Sequence, residues 1–241
     1  MFLRFLIVAV AALALSAPAL GITGGTVDGG AHPAVGLLLA DRGNGPEPAC
    51  SGTLVSSTVF LTAGHCTAGL SSARVWVSFA SQWSSGSRLL TGTAHTDPLF
   101  GQDKHDSHDL AVVVLDAPVT SVTPLALPRA GALDATKPDS VVAVGYGADQ
   151  PAADKKDPSF TFDFTRRWTI ADVAGVSKTE LRLSARAGGT CHGDSGGPEL
   201  LESTIVGVTS HGDDACTKQS FAYRVDTAGA RAFLSQYVRL P

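Results

Sequence analysis

Charge is scarce in this chain. Asp, Glu, Lys and Arg make up 17% of its 241 residues and balance to a formal net charge of −4 at pH 7. A nucleic-acid or anionic-membrane partner requires a concentrated basic surface, and Arg166-Arg167 is too small a cluster to make one. Long apolar runs are missing beyond residue 21, so no later segment reaches membrane length. There is no internal repeat and no low-complexity tract, which argues against solenoids and arrays. Asp103, His105, Asp106 and His108 are close in sequence but lack a recognised ligand spacing, and no calcium loop stands out. No metal and no cofactor is therefore expected.

What is present begins with an export signal over residues 1–21. Arg4 supplies the positive end, Phe5 to Leu15 the apolar run, and Ser16 to Gly21 a small-residue exit. The run is too short, and too interrupted by Ser16 and Pro18, to span a bilayer. The expected product is a secreted protein that is soluble after signal removal. The remaining residues, 22–241, suffice for one large domain or two small ones sharing an interface. Four cysteines in an exported chain read as two disulfides, with three pairings that spacing alone does not distinguish.

The chain reads as mostly β. Short β-branched or apolar runs at Val35 to Ala40, Gly52 to Leu54, Val59 to Ala63, Arg74 to Phe79, Leu110 to Leu115, Val141 to Val144, Leu181 to Leu183 and Thr204 to Thr209 are separated by Gly, Pro, Asp and Ser. One helix is predicted over Ala228 to Val238, where Ala230, Phe233, Leu234, Tyr237 and Val238 share a face. Asp149 to Asp163 is polar and proline-bearing, an expected surface loop.

Three short stretches carry chemistry. Gly188 to Pro198 sets Ser195 in a dense run of glycines, which sacrifices strand and helix propensity and loses the most entropy on folding. A nucleophile loop accounts for that loss, because small residues let backbone N–H groups approach a reacting carbonyl. A serine hydroxyl needs a base and a group that orients the base. Leu61-Thr62-Ala63-Gly64-His65-Cys66 holds a histidine at the end of a strand beside a cysteine, which suits a rigid general base. His108-Asp109-Leu110-Ala111 puts an aspartate at the edge of a core, half-desolvated and in need of a donor, for which His65 is the candidate.

Together with Gly193-Asp194-Ser195-Gly196-Gly197-Pro198, these stretches resemble the signatures of the chymotrypsin/trypsin-like serine peptidases, in the order His, Asp, Ser. The resemblance implies an all-β fold of two packed six-stranded antiparallel β-barrels with a short C-terminal α-helix. The first barrel would cover about 22–125 and the second about 126–241. It implies a catalytic triad of His65, Asp109 and Ser195, an oxyanion site from the backbone N–H groups of Gly193 and Ser195, and an acyl-enzyme intermediate. It further implies disulfides Cys50–Cys66 and Cys191–Cys216. Ile22-Thr23-Gly24-Gly25 resembles the family's mature amino terminus, whose freed amine pairs with the acid before the nucleophile, here Asp194. Thr23 departs from the usual valine, and almost no propeptide precedes Ile22; a cut after Gly21 would expose it. The implied partners are protein or peptide substrates and proteinaceous inhibitors, and a bacterial-type monomer is expected.

The specificity pocket is expected from Gly189, Ser210, Gly212, Ser220 and Phe221. Gly189 stands where an aspartate would select Lys or Arg, so a marked preference for basic residues is not expected. Phe221 pointing inward would make the pocket shallow. His192, His211, Asp213 and Asp214 would line the rim.

Rival readings fail on chain order. Gly193 to Gly197 also fits the nucleophile elbow of α/β-hydrolase esterases, but that fold needs an acid and then a histidine after the serine, and no histidine follows His211. A subtilisin arrangement needs an acid before His65, where only Asp28 and Asp41 stand in unremarkable loops. A catalytically silent binding module is the alternative from another class; the presence of His65, Asp109, Ser195 and Gly193 argues against it.

Overall fold

A computed structural model describes residues 22–70, 72–150, 154, 159–185 and 188–241. The signal over 1–21 and part of the 149–163 loop lie outside the described residues.

Among the described residues, thirteen strands build the molecule. A closed barrel is made by β2 (Val35–Asp41), β3 (Pro46–Leu54), β4 (Val59–Thr62), β5 (Arg74–Ser78), β6 (Leu90–Thr96) and β7 (Ala111–Leu115), in the order β2-β3-β4-β7-β6-β5. The second barrel takes β8 (Ser140–Gly145), β9 (Arg167–Val176), β10 (Glu180–Ser184), β11 (Pro198–Leu201), β12 (Thr204–Gly212) and β13 (Gln219–Arg224). Pairing of β8 with both β9 and β11 closes it. The two-residue strand β1 (Thr26–Val27) adds to β9, so the start of the described chain is attached to the second barrel. The fold is the expected pair of six-stranded antiparallel barrels.

Strand β2 coincides with the expected run Val35 to Ala40 but lacks the alternation of a half-buried strand. Six consecutive residues from Val35 to Ala40 are buried, because one face lines the first barrel and the other meets β8, which removes the usual alternation. Strand β3 starts at Pro46 rather than Gly52. Its prolines fall where a missing donor is tolerated: Pro46 is the first residue of the strand, and Pro48 adjoins the bulge at Ala49, where the register with β2 shifts between Leu38 and Leu39. The helix α1 (Ala228–Leu234) buries Ala230, Phe233 and Leu234, and Thr227 Oγ1 caps it by accepting from Ala230 N at 3.2 Å. It stops four residues short of the expected Val238. The Tyr237 ring instead sits 5.3 Å from both Phe233 and His95.

The basic pair Arg166-Arg167 is structural. Arg166 is 2% exposed and ties the two barrels together. Its guanidinium donates to Asp28 Oδ2 at 2.9 Å, to Val35 O at the start of β2 at 2.9 Å and to Tyr146 Oη beyond β8 at 3.0 Å. Arg167 pairs with Asp163 at 2.6 Å. Neither offers charge to a surface partner. Among the described residues no helix is long and apolar enough to cross a membrane.

Candidate active site

His65 sits on a single 3₁₀ turn, Gly64–Cys66, at the end of β4. Asp109 lies two residues before β7, the strand that pairs with β4. That pairing sets the carboxylate beside the imidazole. Asp109 Oδ2 is 2.9 Å from His65 Nδ1, and Oδ1 accepts from the His65 backbone N–H at 2.8 Å. Asp109 is 3% exposed. Burial opposes its charge, but the His65 hydrogen bonds and charge, with the Ser210 hydroxyl, outweigh burial and hold the carboxyl below its usual range. The Ser210 hydroxyl donates to Oδ2 at 2.5 Å.

Ser195 is presented by a turn that the glycines around it make feasible. Gly193 has φ +93° and a Cβ there would lie 2.9 Å from Gly147 Cα; Gly196 has φ +83° and its Cβ would overlap Thr62 Oγ1 and Ser51 O. The turn is held from the first barrel. Ser51 N–H donates to Ser195 O at 2.8 Å, and Ser51 Oγ donates to Gly193 O at 2.9 Å. Ser51 thus joins the two barrels at the nucleophile, a role with no sequence signal.

His65 and Ser195 stand on the divide between two cavities and line both. The first, about 260 Å³, has walls that include Thr190, Thr209, Ser210, Gly212 and Ser220. The second, about 400 Å³, is bordered by Arg42, Tyr146, Phe162, Phe164 and Gly193. Ser195 Oγ and His65 Nε2 are not joined by a hydrogen bond in this structure; Nε2 is 3.7 Å from Cys66 Sγ.

The remaining site residues distribute as follows. Cys50 is bonded to Cys66 and Cys191 to Cys216, with Cα separations of 6.1 and 5.3 Å. The first bridge closes beside His65 and the second fastens the serine loop to the far wall of the 260 Å³ cavity. Cys50, His65 and Cys66 gather potential metal-ligand atoms, yet both sulfurs are consumed in the disulfide. Asp103 and Asp106 instead accept from the backbone N–H groups of His105 and His108, and Asp106 also accepts from Tyr223 Oη at 2.6 Å.

Phe221 does not line the 260 Å³ cavity. Its ring stacks on His211 at 4.6 Å and 9° and borders a surface depression with Glu180 and Arg182, so it cannot make the cavity shallow; Ser220, its neighbour on β13, faces inward. The period-2 alternation of a strand explains the swap. Gly189 also stays out of the lining. It is tied to Thr23: Thr23 Oγ1 and O both accept from Gly189 N at 3.1 Å, and Thr23 Oγ1 donates to Gly189 O at 3.1 Å. The unusual Thr23 therefore bonds the segment leading into the serine loop. On the rim, Asp213 is occupied by the backbone N–H groups of Thr217, Lys218 and Gln219, and His192 Nε2 lies 3.0 Å from Asp214 O.

Ile22 is buried, and so is Asp194. In this continuous chain Ile22 carries a peptide bond rather than a free amine. Asp194 accepts from Gly147 N at 2.7 Å and Cys191 N at 2.9 Å. Burial pushes its carboxyl up to about 7, against the pull of those two N–H groups and of the Arg167 charge.

Comparison with known proteins follows the same outline. The sequence model of the family described as Trypsin matches residues 22–230. A relative named "Trypsin" from Saccharopolyspora erythraea is 27% identical over 193 residues, covering 76% of this chain and 82% of that protein. "Trypsin 5G1" from Aedes aegypti is 28% identical, covering 70% and 68%. Among solved structures, HL collagenase superposes with a TM-score of 0.70 at 18% identity, over 88% of this chain and 95% of that one. Neuropsin, a serine protease expressed in the limbic system of mouse brain, gives 0.64 at 19% identity, over 85% and 94%. At such identities the structural likeness speaks for the fold.

Proposed function

The chain belongs to the trypsin family of serine proteases, which are hydrolases, and from that premise we propose that it is a secreted endopeptidase working through His65, Asp109 and Ser195. His65 takes the Ser195 proton as the hydroxyl attacks a peptide carbonyl, and Asp109 keeps the imidazole in the tautomer that bears its proton on Nδ1. The Gly193 and Ser195 N–H groups hold the tetrahedral oxyanion. His65 then protonates the departing amine, leaving an acyl-enzyme that water hydrolyses by the same proton transfers reversed. The observation that carries this reading is the His65 Nδ1–Asp109 contact at 2.9 Å, buried at one end and open at the other to the two cavities that Ser195 shares. A peptide chain laid across that divide would place its residue before the cut in one cavity and the residue after it in the other.

The mature enzyme would begin at Ile22 after a cut following Gly21, and its new amine would neutralise Asp194. Mass spectrometry of the secreted protein tests the terminus; a fully active chain starting at Leu20 or earlier contradicts it. A fluorophosphonate probe tests the chemistry. Wild type should label and hydrolyse peptides, and Ser195→Ala should do neither. Absence of labelling in folded, Ile22-initiated wild type would overturn the enzymatic reading in favour of a silent binding module.

A further inference from the structure

Glu199 follows Pro198 at the start of β11 and is fully buried. Its register partners are Gly207 on β12 and Ala143 on β8. Both are small, and a Cβ at Gly207 would meet Ala222 Cβ at 3.1 Å and Leu181 Cδ1 at 3.2 Å, which places this face inside the second barrel. A carboxyl in such a position is costly without partners. Oε1 accepts from Thr209 Oγ1 at 3.0 Å, and Oε2 is buried with no partner. Thr209 lines the 260 Å³ cavity, as does Thr190, whose Oγ1 is likewise buried and unpartnered. The cavity wall is thus one hydrogen bond away from an acid with unmet capacity, and has an unsatisfied hydroxyl of its own. Gly189 contributes no side chain.

Resting on the peptidase reading above, we infer that Glu199 is the specificity acid of this cavity, selecting a substrate side chain that ends in an ammonium or guanidinium group. The entering cation takes up the vacant capacity of Oε2, directly or across a water held by Thr190 and Thr209, and the Glu199 proton leaves to solvent. A charge pair then replaces a neutral acid. A cation buried without that partner would be rejected, and a neutral side chain would gain nothing from it.

The proton is the control. Burial pushes Glu199 up to about 8, against the Thr209 hydrogen bond and with the aid of the Asp194 charge. Asp194 is the charged group that acts on it; the strands flanking it present Ala143, Gly207 and Thr209. Near pH 6 the carboxyl is protonated and discrimination is weak. Above pH 8 it is ionised and discrimination is strong. The absence of an aspartate at Gly189 and a preference for basic residues are then compatible, the second appearing only as pH rises.

The test compares kcat/KM for two peptides that differ only in lysine or norleucine before the scissile bond, at pH 6 and pH 9, on active-site-titrated wild type and Glu199→Gln. The ratio cancels the titration of the catalytic base. It should rise more than about tenfold between the two pH values in wild type, and stay flat and low in Glu199→Gln. Active-site titration and the thermal unfolding midpoint report whether the variant is folded. A wild-type ratio that does not rise with pH overturns the inference, as does an equal rise in the variant. Should the variant fail to fold, the wild-type ratio decides alone. An enzyme that labels with fluorophosphonate but shows no such ratio refutes Glu199's role while leaving the peptidase reading intact; failure to label at all refutes that reading instead.

Discussion

The Ser210 hydroxyl donates to Asp109 Oδ2 at 2.5 Å, the same carboxylate oxygen that faces His65 Nδ1 at 2.9 Å. One residue of the second barrel therefore helps to orient a group carried by the first. Ser210 was expected in the specificity pocket; it borders the 260 Å³ cavity, and its hydroxyl serves the carboxylate.

Removing that donor leaves a buried charge with one partner fewer, a loss of about 1.5–3 kcal/mol for a bond to a charged group. Ser210→Ala should lower kcat by roughly ten- to a hundredfold with little change in KM. Asp109→Asn, which favours the wrong imidazole tautomer, should cost about 10⁴-fold in kcat. Steady-state kinetics on one peptide substrate compares the two, and a Ser210→Ala enzyme with a changed KM and unchanged kcat would assign the hydroxyl to substrate binding.

Gly193 has φ +93° and Gly147 Cα behind it. Gly193→Ala should displace the N–H that meets the oxyanion and reduce kcat by about 10² to 10³. Binding of a substrate-like peptide to Ser195→Ala, with and without the second change, should differ little. An unaltered kcat in Gly193→Ala would remove this residue from the mechanism.

The Cys191–Cys216 bridge fastens the serine loop to the opposite cavity wall. Replacing both cysteines by alanine should cost about 2–4 kcal/mol of stability, and because the clamp sits at the cavity, KM should rise as well. Denaturant unfolding and peptide kinetics read the two effects separately.

Arg166 and Asp28 form a buried pair at 2.9 Å. Arg166→Ala strands the Asp28 charge and should destabilise by about 3–5 kcal/mol. Burial opposes the Asp28 charge, but His32 and Arg166 prevail and lower its carboxyl from 3.8 to about 2. A folded-state value below the unfolded one means stability that is fully present above pH 3.8 and is lost as pH falls through about 2. Acid unfolding of Asp28→Asn should lack that component.

Glu199 has the opposite sign. Its carboxyl goes from 4.5 to about 8 on burial, so its contribution is fully present below pH 4.5 and is lost as pH rises through about 8. Glu199→Gln should unfold at the same or higher temperature than wild type at pH 8.5, and its thermal midpoint should vary less between pH 5 and pH 9. A steeper alkaline decline in the variant would contradict the buried neutral acid.

Much of the architecture was readable because it rests on short strands with sharp punctuation. The runs at Val35, Val59, Arg74, Val141 and Thr204 each coincide with a strand. Strands β6, β9 and β13 escaped notice because Leu-Thr-Gly-Thr-Ala-His-Thr, Arg-Trp-Thr-Ile and Gln-Ser-Phe-Ala carry polar residues that barrel closure buries or pairs. The nucleophile stretch was legible because its glycines make sense only with close backbone contacts. The roles of Ser51, Ser210 and Glu199 were not, since an isolated serine or glutamate acquires its meaning from a neighbour distant in the chain, 142 residues away for Ser51 and Gly193.

Both disulfides stay within a barrel, Cys50–Cys66 in the first and Cys191–Cys216 in the second. No disulfide thus holds His65 and Ser195 at a fixed spacing, and noncovalent groups at the seam, Arg166 and Ser51 among them, join the two barrels. Loosening of that seam would separate His65 from Ser195 with both sulfur bridges unbroken, and closing it would bring them together again.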